Sequence, residues 1–407
     1  MTRRRPPRAR PLLMHLTTAD ISLELLIGPQ LSAFRAAGYE VVGVSAPGPF
    51  VEQVTARGVE HVPLGNATRS MNLTADVAAL GELVKLFRER RPDIVHTHNP
   101  KTGVYGRIAA KLAGVPRIVN TVHGLYATPE DPLLRRVAVY SAERIAATCS
   151  HIELVQNPED ITTLRSLKVP ARKLRELGNG IDLARFANDG GATRAAVREE
   201  LGIAPDAVVV GAIGRLVREK GYLELFEAWA EIRASVPNAE LLVVGPYQPD
   251  KSDGIDESVV AEATAAGIRF LGMRDDVERI YQALDVYVLL SYREGFPRSA
   301  MEAAAAGLPI VATDIRGCRQ VVDDGVTGTL VPKADAHAAA VAIRDLVLDD
   351  DRRAVYATAA VERARTHFDQ ERVIAITLEA YRDLMGGWSP TPLPPTDTSA
   401  DNAEARP

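Results

Sequence analysis

The sequence predicts a chain of two α/β domains, each a parallel β-sheet with helices on both faces. With 407 residues the chain is too long for one ordinary domain and suits two. Short apolar strands alternate with amphipathic helices, as in strand–helix–strand units with right-handed crossovers. The alternation breaks at GIDLARFANDGGATRAA (180–196), where paired glycines and small polar residues indicate a linker. Two such domains facing each other would form a deep cleft, and parallel sheets bind ligands beyond the carboxyl ends of their strands.

The first half contains seven predicted strands and six predicted helices. Several strands are unbroken Val, Ile and Leu, which indicates burial on both faces of the sheet. Three helices end at Gly38, Gly58 and Gly114, where glycine is favoured just after a helix. The strands are PLLMHLTT (11–18), YEVVGVSA (39–46), VEHVPL (59–64), DIVHTH (93–98), VPRIVNTVHG (115–124), HIELVQ (151–156) and KLRELGNG (173–180). The helices are LELLIGPQLSAFRAAG (23–38), PFVEQVTARG (49–58), LTADVAALGELVKLFRERR (73–91), KTGVYGRIAAKLAG (101–114), PLLRRVAVYSAERIAATC (132–149) and PEDITTLRSL (158–167).

The alternation then restarts and gives the second domain. Its segments are AVVVGAIGRL (207–216), GYLELFEAWAEIRAS (221–235), AELLVVGP (239–246), GIRFLGM (267–273), DDVERIYQALD (275–285), VYVLLS (286–291), SAMEAAAAG (299–307), LPIVATD (308–314), GCRQVVDD (317–324), GTLVP (328–332) and AHAAAVAIRDLVLDD (336–350). We therefore predict an N-terminal Rossmann-like domain over 12–187 and a C-terminal one over 188–369, with a last helix, 370–386, docking back on the first domain.

Composition excludes several classes of function. The formal charge is −5 and the pI about 6.0, which disfavours binding to nucleic acid. Two distant cysteines, Cys149 and Cys318, fit a reducing compartment without disulfides. No apolar run is long enough to span a membrane, so we expect a cytoplasmic protein, free or peripheral at the inner face of the membrane. The basic arm 1–11 and the Pro/Thr/Asp-rich tail 387–407 are predicted to be disordered.

A basic loop follows the first strand of the second domain. GRLVREKG (214–221) is bracketed by glycines and carries Arg215 and Lys220 beside a predicted helix start. A guanidinium fork and an ammonium in that position suit a diphosphate. A solvated basic turn without a ligand would have the same sequence pattern. The loop is not a Walker A motif, and no predicted strand is followed by GxGxxG.

Two glutamates eight residues apart lie in REGFPRSAME (293–302). Pro297 prevents a continuous helix through Glu294, so Glu294 is predicted on a loop and Glu302 one turn inside the next helix. We expect Ser299 to cap that helix, whose free N–H groups would favour an anion. Carboxylates accept hydrogen bonds from the paired hydroxyls of sugars, so the two glutamates would hold opposite ends of one ligand. Their different environments do not fit the paired carboxylates of a glycosidase.

These motifs together resemble family 4 of the retaining glycosyltransferases, whose GT-B fold has two facing Rossmann-like domains. The resemblance rests on E-x7-E, GRLVREKG, GNGIDLARF (178–186) and LGMRDDVERIYQALDVYVLLS (271–291), and covers about 12–386. HTHNPKTGVYGRIAAKLAGVPRIVNTVHG (96–124) is similar to a subset active in capsule and exopolysaccharide assembly. Many members carry Gly-Gly in the first loop, where this chain has Thr17-Thr18-Ala19-Asp20.

The resemblance implies roles for individual residues. Arg215 and Lys220 would bind the donor diphosphate, Glu294 the sugar hydroxyls and Glu302 the ribose, while His123, before Gly124, would reach the transferred sugar. We predict His123, Arg215, Lys220 and Glu294 as catalytic. The donor-binding set is Gly214, Gly272, Met273, Arg274, Gly295, Phe296, Pro297, Arg298, Ser299 and Glu302, and the acceptor side is Thr17, Thr18, His98 and Lys101.

We predict no cofactor and no catalytic metal. His96-x-His98 is a possible ligand pair without a carboxylate or cysteine cluster to complete it, and His15 is assigned a structural role. The expected partners are a nucleoside-diphosphate sugar and a glycan, lipid-linked sugar or small-molecule acceptor. Lysines and arginines of 85–91 and 101–111, Arg107 among them, either face a lipid leaflet or are ordinary helix cations. The alternatives are a sugar-nucleotide epimerase or hydrolase of the same fold and a non-catalytic nucleotide-sugar-binding scaffold.

Overall fold

The chain folds as two parallel-sheet α/β domains. The computed structural model describes residues 8–68, 73–98 and 100–392. One compact unit is formed by the described parts of Met1–Leu177 and Ile374–Pro407, and the other by Gly178–Val373. We call these the N-terminal and the C-terminal domain. Among the described residues no helix combines the length and the apolar character that crossing a bilayer requires.

The N-terminal domain is built on seven parallel strands. Their spatial order is β3-β2-β1-β4-β5-β6-β7, so the sheet changes winding direction between β1 and β4. The strands are β1 (Leu12–Ala19), β2 (Glu40–Ala46), β3 (Glu60–Pro63), β4 (Ile94–Thr97), β5 (Ile118–Val122), β6 (Ile152–Val155) and β7 (Leu174–Glu176). The helices are α1 (Gly28–Ala36), α2 (Val51–Ala56), α3 (Leu73–Arg90), α4 (Pro100–Leu112), α5 (Leu133–Cys149) and α6 (Pro158–Ser166).

The C-terminal domain is built on six parallel strands. Their order is β10-β9-β8-β11-β12-β13, and the winding direction changes between β8 and β11. The strands are β8 (Val208–Ile213), β9 (Ala239–Val244), β10 (Arg269–Gly272), β11 (Val286–Leu289), β12 (Ile310–Thr313) and β13 (Gly328–Val331). The helices are α7 (Leu183–Phe186), α8 (Ala192–Glu200), α9 (Tyr222–Ser235), α10 (Glu257–Ala265), α11 (Val277–Ala283), α12 (Arg298–Ala305), α13 (Ala336–Leu348) and α14 (Asp350–His367).

The segment predicted as a linker contains two short helices, so that part of the prediction is wrong. The Asp182 side chain caps α7 by accepting hydrogen bonds from the backbone N–H groups of Ala184 and Arg185. α8 begins directly after Gly191, whose left-handed φ of 97° suits the paired glycines. Short polar caps and glycines mark helix starts as well as loops, which is why the sequence pattern misled here.

The last helix, α15 (Gln370–Leu384), belongs to the N-terminal domain from Ile374 onward. Its Tyr381 is fully buried and its hydroxyl lies 2.6 Å from Nδ1 of His96 on β4. Arg117 donates a hydrogen bond to the carbonyl of Leu384 at 2.9 Å. The C-terminal end of the chain thus completes the core of the first domain.

Candidate active site

The basic loop of the C-terminal domain leaves β8 at the point where the sheet changes winding direction. The Gly214 N–H donates to the carbonyl of Val244 at 2.8 Å, and the Tyr222 hydroxyl donates to the carbonyl of Gly214 at 3.1 Å. The loop ends at Gly221, which has a left-handed φ of 72° and no room for a side chain. A Cβ there would lie 2.0 Å from the carbonyl oxygen of Leu290, so glycine lets the loop pack against the end of β11.

This close packing brings Lys220 to Glu294. The Lys220 ammonium lies 2.5 Å from Oε1 of Glu294, and the Ser291 hydroxyl donates to the same oxygen at 2.7 Å. Arg218 points elsewhere and pairs with Asp256 at 2.7 Å. Arg215 is exposed, and although its carbonyl accepts the Val217 N–H at 2.9 Å, its guanidinium makes no hydrogen bond or ion pair with the residues that the structure describes. Of these three cations, Arg215 therefore keeps its charge uncompensated within the described chain.

The second glutamate, Glu302, is held by a buried tyrosine. The Tyr281 hydroxyl donates to Oε2 of Glu302 at 3.0 Å and lies 2.9 Å from the carbonyl of Ser299. Burial raises the pKa of Glu302 above its ordinary value, against the opposing effect of the Arg298 charge. Each glutamate is fixed through one carboxylate oxygen, and Oε2 of Glu294 and Oε1 of Glu302 make no hydrogen bond to described residues.

The segment between the glutamates turns directly into α12. The carbonyl of Phe296 accepts a hydrogen bond from the Asn179 side chain at 3.3 Å, and the Phe296 ring packs edge-on against Phe368. Pro297, not Ser299, occupies the N-cap position, and Arg298 is the first helical residue. The prediction of a Ser299 cap is therefore wrong. Proline fixes φ near the helical value, so the helix starts immediately after it and Ser299 already lies inside the first turn.

Three residues of the predicted donor-binding set lie at the end of β10 and directly after it, namely Gly272, Met273 and Arg274. Gly272 has a left-handed φ of 65°, and its carbonyl accepts the N–H of Gly245 at 2.8 Å. The Met273 side chain is exposed. Arg274 forms ion pairs with Asp276 at 2.8 Å and with Glu200 at 3.0 Å, and the hydrogen bonds to Asp276 raise its pKa. The Arg274 side chain is thus occupied, which leaves the backbone of this segment for a ligand.

In the N-terminal domain the predicted acceptor-side residues surround the winding reversal between β1 and β4. Thr17 is buried and its hydroxyl donates to the carbonyl of Ala19 at 2.9 Å, while the Thr18 hydroxyl lies 3.5 Å from that of Thr102. The Lys101 ammonium binds Asp76 at 2.6 Å and the carbonyl of Thr68 at 2.9 Å.

Arg107 does not face a lipid surface, because it is fully buried. Its guanidinium pairs with Glu153 and Glu143, each at 2.8 Å, and Nε donates to the carbonyl of Gly103 at 2.5 Å. The option of a lipid-facing cation is therefore wrong for Arg107.

Four histidines form one hydrogen-bonded row across the carboxyl side of this sheet. Nε2 of His123 lies 3.1 Å from Nδ1 of His98, and Nε2 of His98 lies 3.0 Å from Nδ1 of His15. The row continues through the Tyr381 hydroxyl, 3.5 Å from Nε2 of His15, to His96. It arises from register, because His15 pairs with His96 on adjacent strands and His98 follows two residues later on the same face.

Burial keeps these rings neutral. It lowers the pKa of His15 to about 3 and that of His123 to about 4, and it holds those of His96 and His98 well below their ordinary value. A neutral imidazole has one N–H donor and one acceptor nitrogen. The N–H groups of hydrogen-bonded neighbours in the row must therefore all point in the same direction along it. The tautomer of His123 is therefore coupled to that of His98 and His15.

Comparison with known proteins identifies the family. A model described as glycosyl transferase 4-like domain matches residues 27–180, and one described as glycosyl transferases group 1 matches residues 193–363. The chain is 31% identical over 281 residues to the UDP-Gal:alpha-D-GlcNAc-diphosphoundecaprenol alpha-1,3-galactosyltransferase of Escherichia coli, over 66% of this chain and 69% of that enzyme. The chain is a group 1 glycosyltransferase.

Two further comparisons agree with this family. The enzyme is 29% identical over 348 residues to the capsular polysaccharide biosynthesis glycosyltransferase CapM of Staphylococcus aureus, over 84% of this chain and 89% of CapM. Anabaena HepE, solved in complex with UDP, superposes with a TM-score of 0.77 at 21% identity, covering 92% of this chain and all of that one (100%). This likeness confirms the predicted GT-B fold.

The glycosyltransferase contains one group of side chains with metal-ligand chemistry among its described residues. His15, His96 and His98 each place a ring nitrogen within 4.8 Å of the others. The nitrogens of His15 and His98 already face each other across a hydrogen bond, and both ring nitrogens of His96 are engaged by Tyr381 and Thr121. A metal would have to displace these hydrogen bonds, so we read the group as a hydrogen-bonded row.

Sequence reasoning missed four residues of this enzyme that support the site. Ser291 and Tyr281 hold the glutamates, while His15 and Tyr381 extend the row behind His123. Ser291 could have been found from its position at the end of a predicted strand. The other three could not, since their contacts join segments distant in the sequence.

Proposed function

We propose that this enzyme moves a hexose, with retention of anomeric configuration, from a nucleoside-diphosphate sugar to an acceptor hydroxyl. A UDP-sugar is the expected donor, and a glycan or lipid-linked sugar in capsule, exopolysaccharide or glycolipid synthesis is the expected acceptor. The observation that carries the proposal is the contact of Lys220 with Glu294 at 2.5 Å, beyond the ends of the adjacent strands β8 and β11. A phosphate-binding cation and a hydroxyl-binding carboxylate lie side by side where parallel sheets bind ligands.

The relatives support the chemical class of both substrates. The Escherichia coli relative is named for UDP-Gal and for a diphosphoundecaprenol-linked sugar, CapM for capsular polysaccharide, and HepE was solved with UDP. We extend these features to the present enzyme as a proposal. A cytoplasmic location with peripheral contact at the inner face of the membrane belongs to the same proposal.

The charges of the C-terminal domain suit departure of a diphosphate. When the bond from the anomeric carbon to the phosphate oxygen breaks, negative charge develops on the phosphate and positive charge on the sugar. Arg215 is uncompensated among described residues and would provide the main positive charge, while Lys220 shares its charge with Glu294. The N-terminus of α12, beginning at Arg298, adds backbone N–H donors. One preorganised donor of this kind is worth about 3 kcal/mol in the transition state.

Retention follows if the acceptor attacks the face that the diphosphate leaves. The new bond joins the acceptor oxygen to the anomeric carbon, the bond to the phosphate oxygen breaks, and the departing phosphate takes the acceptor's proton. Arg215 and Lys220 would supply the charge stabilisation without a metal. Through their open oxygens, Glu294 would accept hydrogen bonds from sugar hydroxyls and Glu302 from the ribose, while His123 would contact the transferred sugar.

The test compares two arginines of the same loop. Arg215→Ala should lower kcat by about 100-fold, the equivalent of one lost transition-state donor, with little change in melting temperature. The matched control is Arg218→Ala, because Arg218 is already paired with Asp256. Equal losses in both variants, or near-normal turnover in Arg215→Ala, would refute the charge argument.

The donor and the stereochemistry are tested separately. UDP-, GDP- and ADP-sugars should be screened for a rise in melting temperature, since a ligand that binds the native state stabilises it by mass action. NMR of the product's anomeric proton then reads the configuration of the new bond. An inverted product would contradict the retaining mechanism, and free sugar or an epimer formed without acceptor would favour the hydrolase or epimerase.

A further inference from the structure

Helix α5 turns a row of large apolar side chains toward solvent. The exposed fractions are 67% for Leu133, 83% for Leu134, 53% for Val137 and 59% for Ile145. With about 3.6 residues per turn, these positions share one side of the helix. We call this surface the apolar face of α5. Elsewhere, Leu348 and Val355 are also exposed, but each is isolated on its helix. Clustered exposure of this kind marks an interaction surface.

The charges of α5 are divided between its two sides. Its one acidic residue, Glu143, points inward and pairs with the buried Arg107 at 2.8 Å. Arg144 is exposed on the same side of the helix as the apolar face, one residue before Ile145. Arg135 lies half-exposed at the start of the helix, with its guanidinium 5.6 Å from the centre of the Tyr126 ring. Asp131, just before the helix, pairs with Arg135 at 3.3 Å. The outward side of α5 itself, which is described throughout, is therefore apolar without a carboxylate, and Arg136 and Arg144 form its basic margin.

The apolar face continues into an open groove toward α6. Leu133, Val137 and Tyr140 line it from α5, and Leu167 lines it from the end of α6. Arg136 and Arg144 also border the groove, and Arg136 is oriented by donating to the carbonyl of Pro129 at 2.7 Å. Apolar side chains bordered by arginines match the boundary of a bilayer, where acyl chains meet anionic headgroups.

We propose that the apolar face of α5 docks the enzyme on an anionic phospholipid bilayer. The helix would lie in the plane of the interface with Leu133, Leu134, Val137 and Ile145 in the acyl boundary. Arg144 would reach the lipid phosphates. The whole chain carries a formal charge of −5, so an anionic surface repels most of the molecule and attracts this basic margin. Charge complementarity therefore selects both the lipid and the side of the protein that meets it.

This inference rests on the proposed function in one respect: a lipid-linked acceptor is presented at a bilayer and would give the enzyme a reason to dock there. Its evidence is the surface of α5. The loop that leaves β5 at His123 leads directly into α5, so the predicted sugar-contacting residue and the docking surface lie on consecutive segments. Docking through α5 would thus hold this part of the N-terminal domain close to the membrane that carries the acceptor.

The test measures sedimentation of the full-length enzyme with vesicles, without donor or acceptor. We expect binding to vesicles of phosphatidylglycerol and phosphatidylcholine, and much weaker binding to phosphatidylcholine alone. The double variant Leu134→Gln/Ile145→Gln should bind the anionic vesicles at least about tenfold more weakly, because two apolar side chains no longer enter the acyl boundary. Arg144→Gln should weaken binding to anionic vesicles about fivefold and leave binding to neutral ones unchanged.

The matched control is Leu348→Gln, which removes an exposed leucine (64%) from the C-terminal domain and should leave binding unchanged. Wild-type binding by the double variant would overturn the proposal. So would a wild-type dimer that does not bind vesicles and that the double variant converts to a monomer, because a second copy would then cover the apolar face. UDP-sugar binding, measured by thermal shift, should be the same in all variants, so a failure of docking is distinguishable from a failure of the proposed function.

Discussion

Lowering the pH from 7 to 5 should destabilise the N-terminal domain much more than the C-terminal domain. In the native state burial lowers the pKa of His15 to about 3, while an unfolded histidine titrates near 6.5. Below pH 6.5 the unfolded chain therefore binds a proton that the native chain excludes. This contribution to stability is complete above about pH 6.5 and is lost progressively as the pH falls toward 3.

The loss of stability at pH 5 depends on how far the pH lies below the pKa of a histidine in the unfolded chain. A fall of about 1.5 pH units below 6.5 costs about 2 kcal/mol for each buried histidine that stays neutral. His15 alone therefore costs about 2 kcal/mol, and His96 and His98, whose pKa values burial also holds well below the ordinary one, add to this loss. A typical domain has only about 5–15 kcal/mol of stability, so the transition should move by many degrees.

Differential scanning calorimetry at pH 7 and pH 5 would resolve the two domains. Trp229 is fully buried in the C-terminal domain, whereas the second tryptophan, Trp388, belongs to the N-terminal unit. In a Trp388→Phe background, the fluorescence of Trp229 therefore follows the C-terminal domain separately. The two histidines of the C-terminal domain, His337 and His367, are exposed, so its transition should shift little. His337→Gln serves as the control. Equal shifts of both transitions, or a pH-independent transition of the N-terminal domain, would refute the assignment of a neutral buried row.

Three further predictions concern packing around the glutamates and in one helix. Gly317→Ala should reduce turnover and lower the melting temperature, because its Cβ would lie 2.5 Å from the Glu294 carbonyl oxygen and displace that residue; unchanged kcat/KM would contradict this. Gly81→Ala, with no atom within 4 Å of the new Cβ, should raise the free energy of unfolding by up to about 1 kcal/mol in urea titrations and leave activity unchanged. Tyr281→Phe removes the hydroxyl that orients Glu302 and should weaken UDP binding about 3- to 10-fold by calorimetry; wild-type affinity would exclude that orienting role.

The C-terminal domain could be predicted in more detail than the N-terminal domain, because the motifs of its candidate site are local. GRLVREKG and the Glu294–Glu302 spacing each lie within a few residues of a strand end, so strand alternation alone places them at one edge of the sheet. The failure at Ser299 is equally local, since the predicted cap lies only two residues after Pro297, which occupies the N-cap position.

The row of histidines could not be predicted because it depends on contacts that are distant in the sequence. Pairing of β1 with β4 brings His15 beside His96, and Tyr381 arrives from the last helix. The outward face of α5 was missed for a related reason. The pattern LLRRVAVYSAERIAATC predicts an amphipathic helix, but small residues such as Ala146 and Ala147 face the core and the larger leucines face solvent. Hydropathy alone would have assigned the opposite orientation.

The candidate site of the C-terminal domain contains charged side chains, whereas the histidine row of the N-terminal domain is neutral. This difference restricts which residues can stabilise the leaving diphosphate. Near pH 7 the histidines behind His123 are neutral, so this row contributes hydrogen bonds of fixed direction and no positive charge. Within the proposed function, stabilisation of the leaving diphosphate therefore falls to Arg215, to Lys220 and to the start of α12. Because Lys220 already shares its charge with Glu294, Arg215 has the larger net charge to offer. Its removal should accordingly cost more turnover than that of any single histidine in the row.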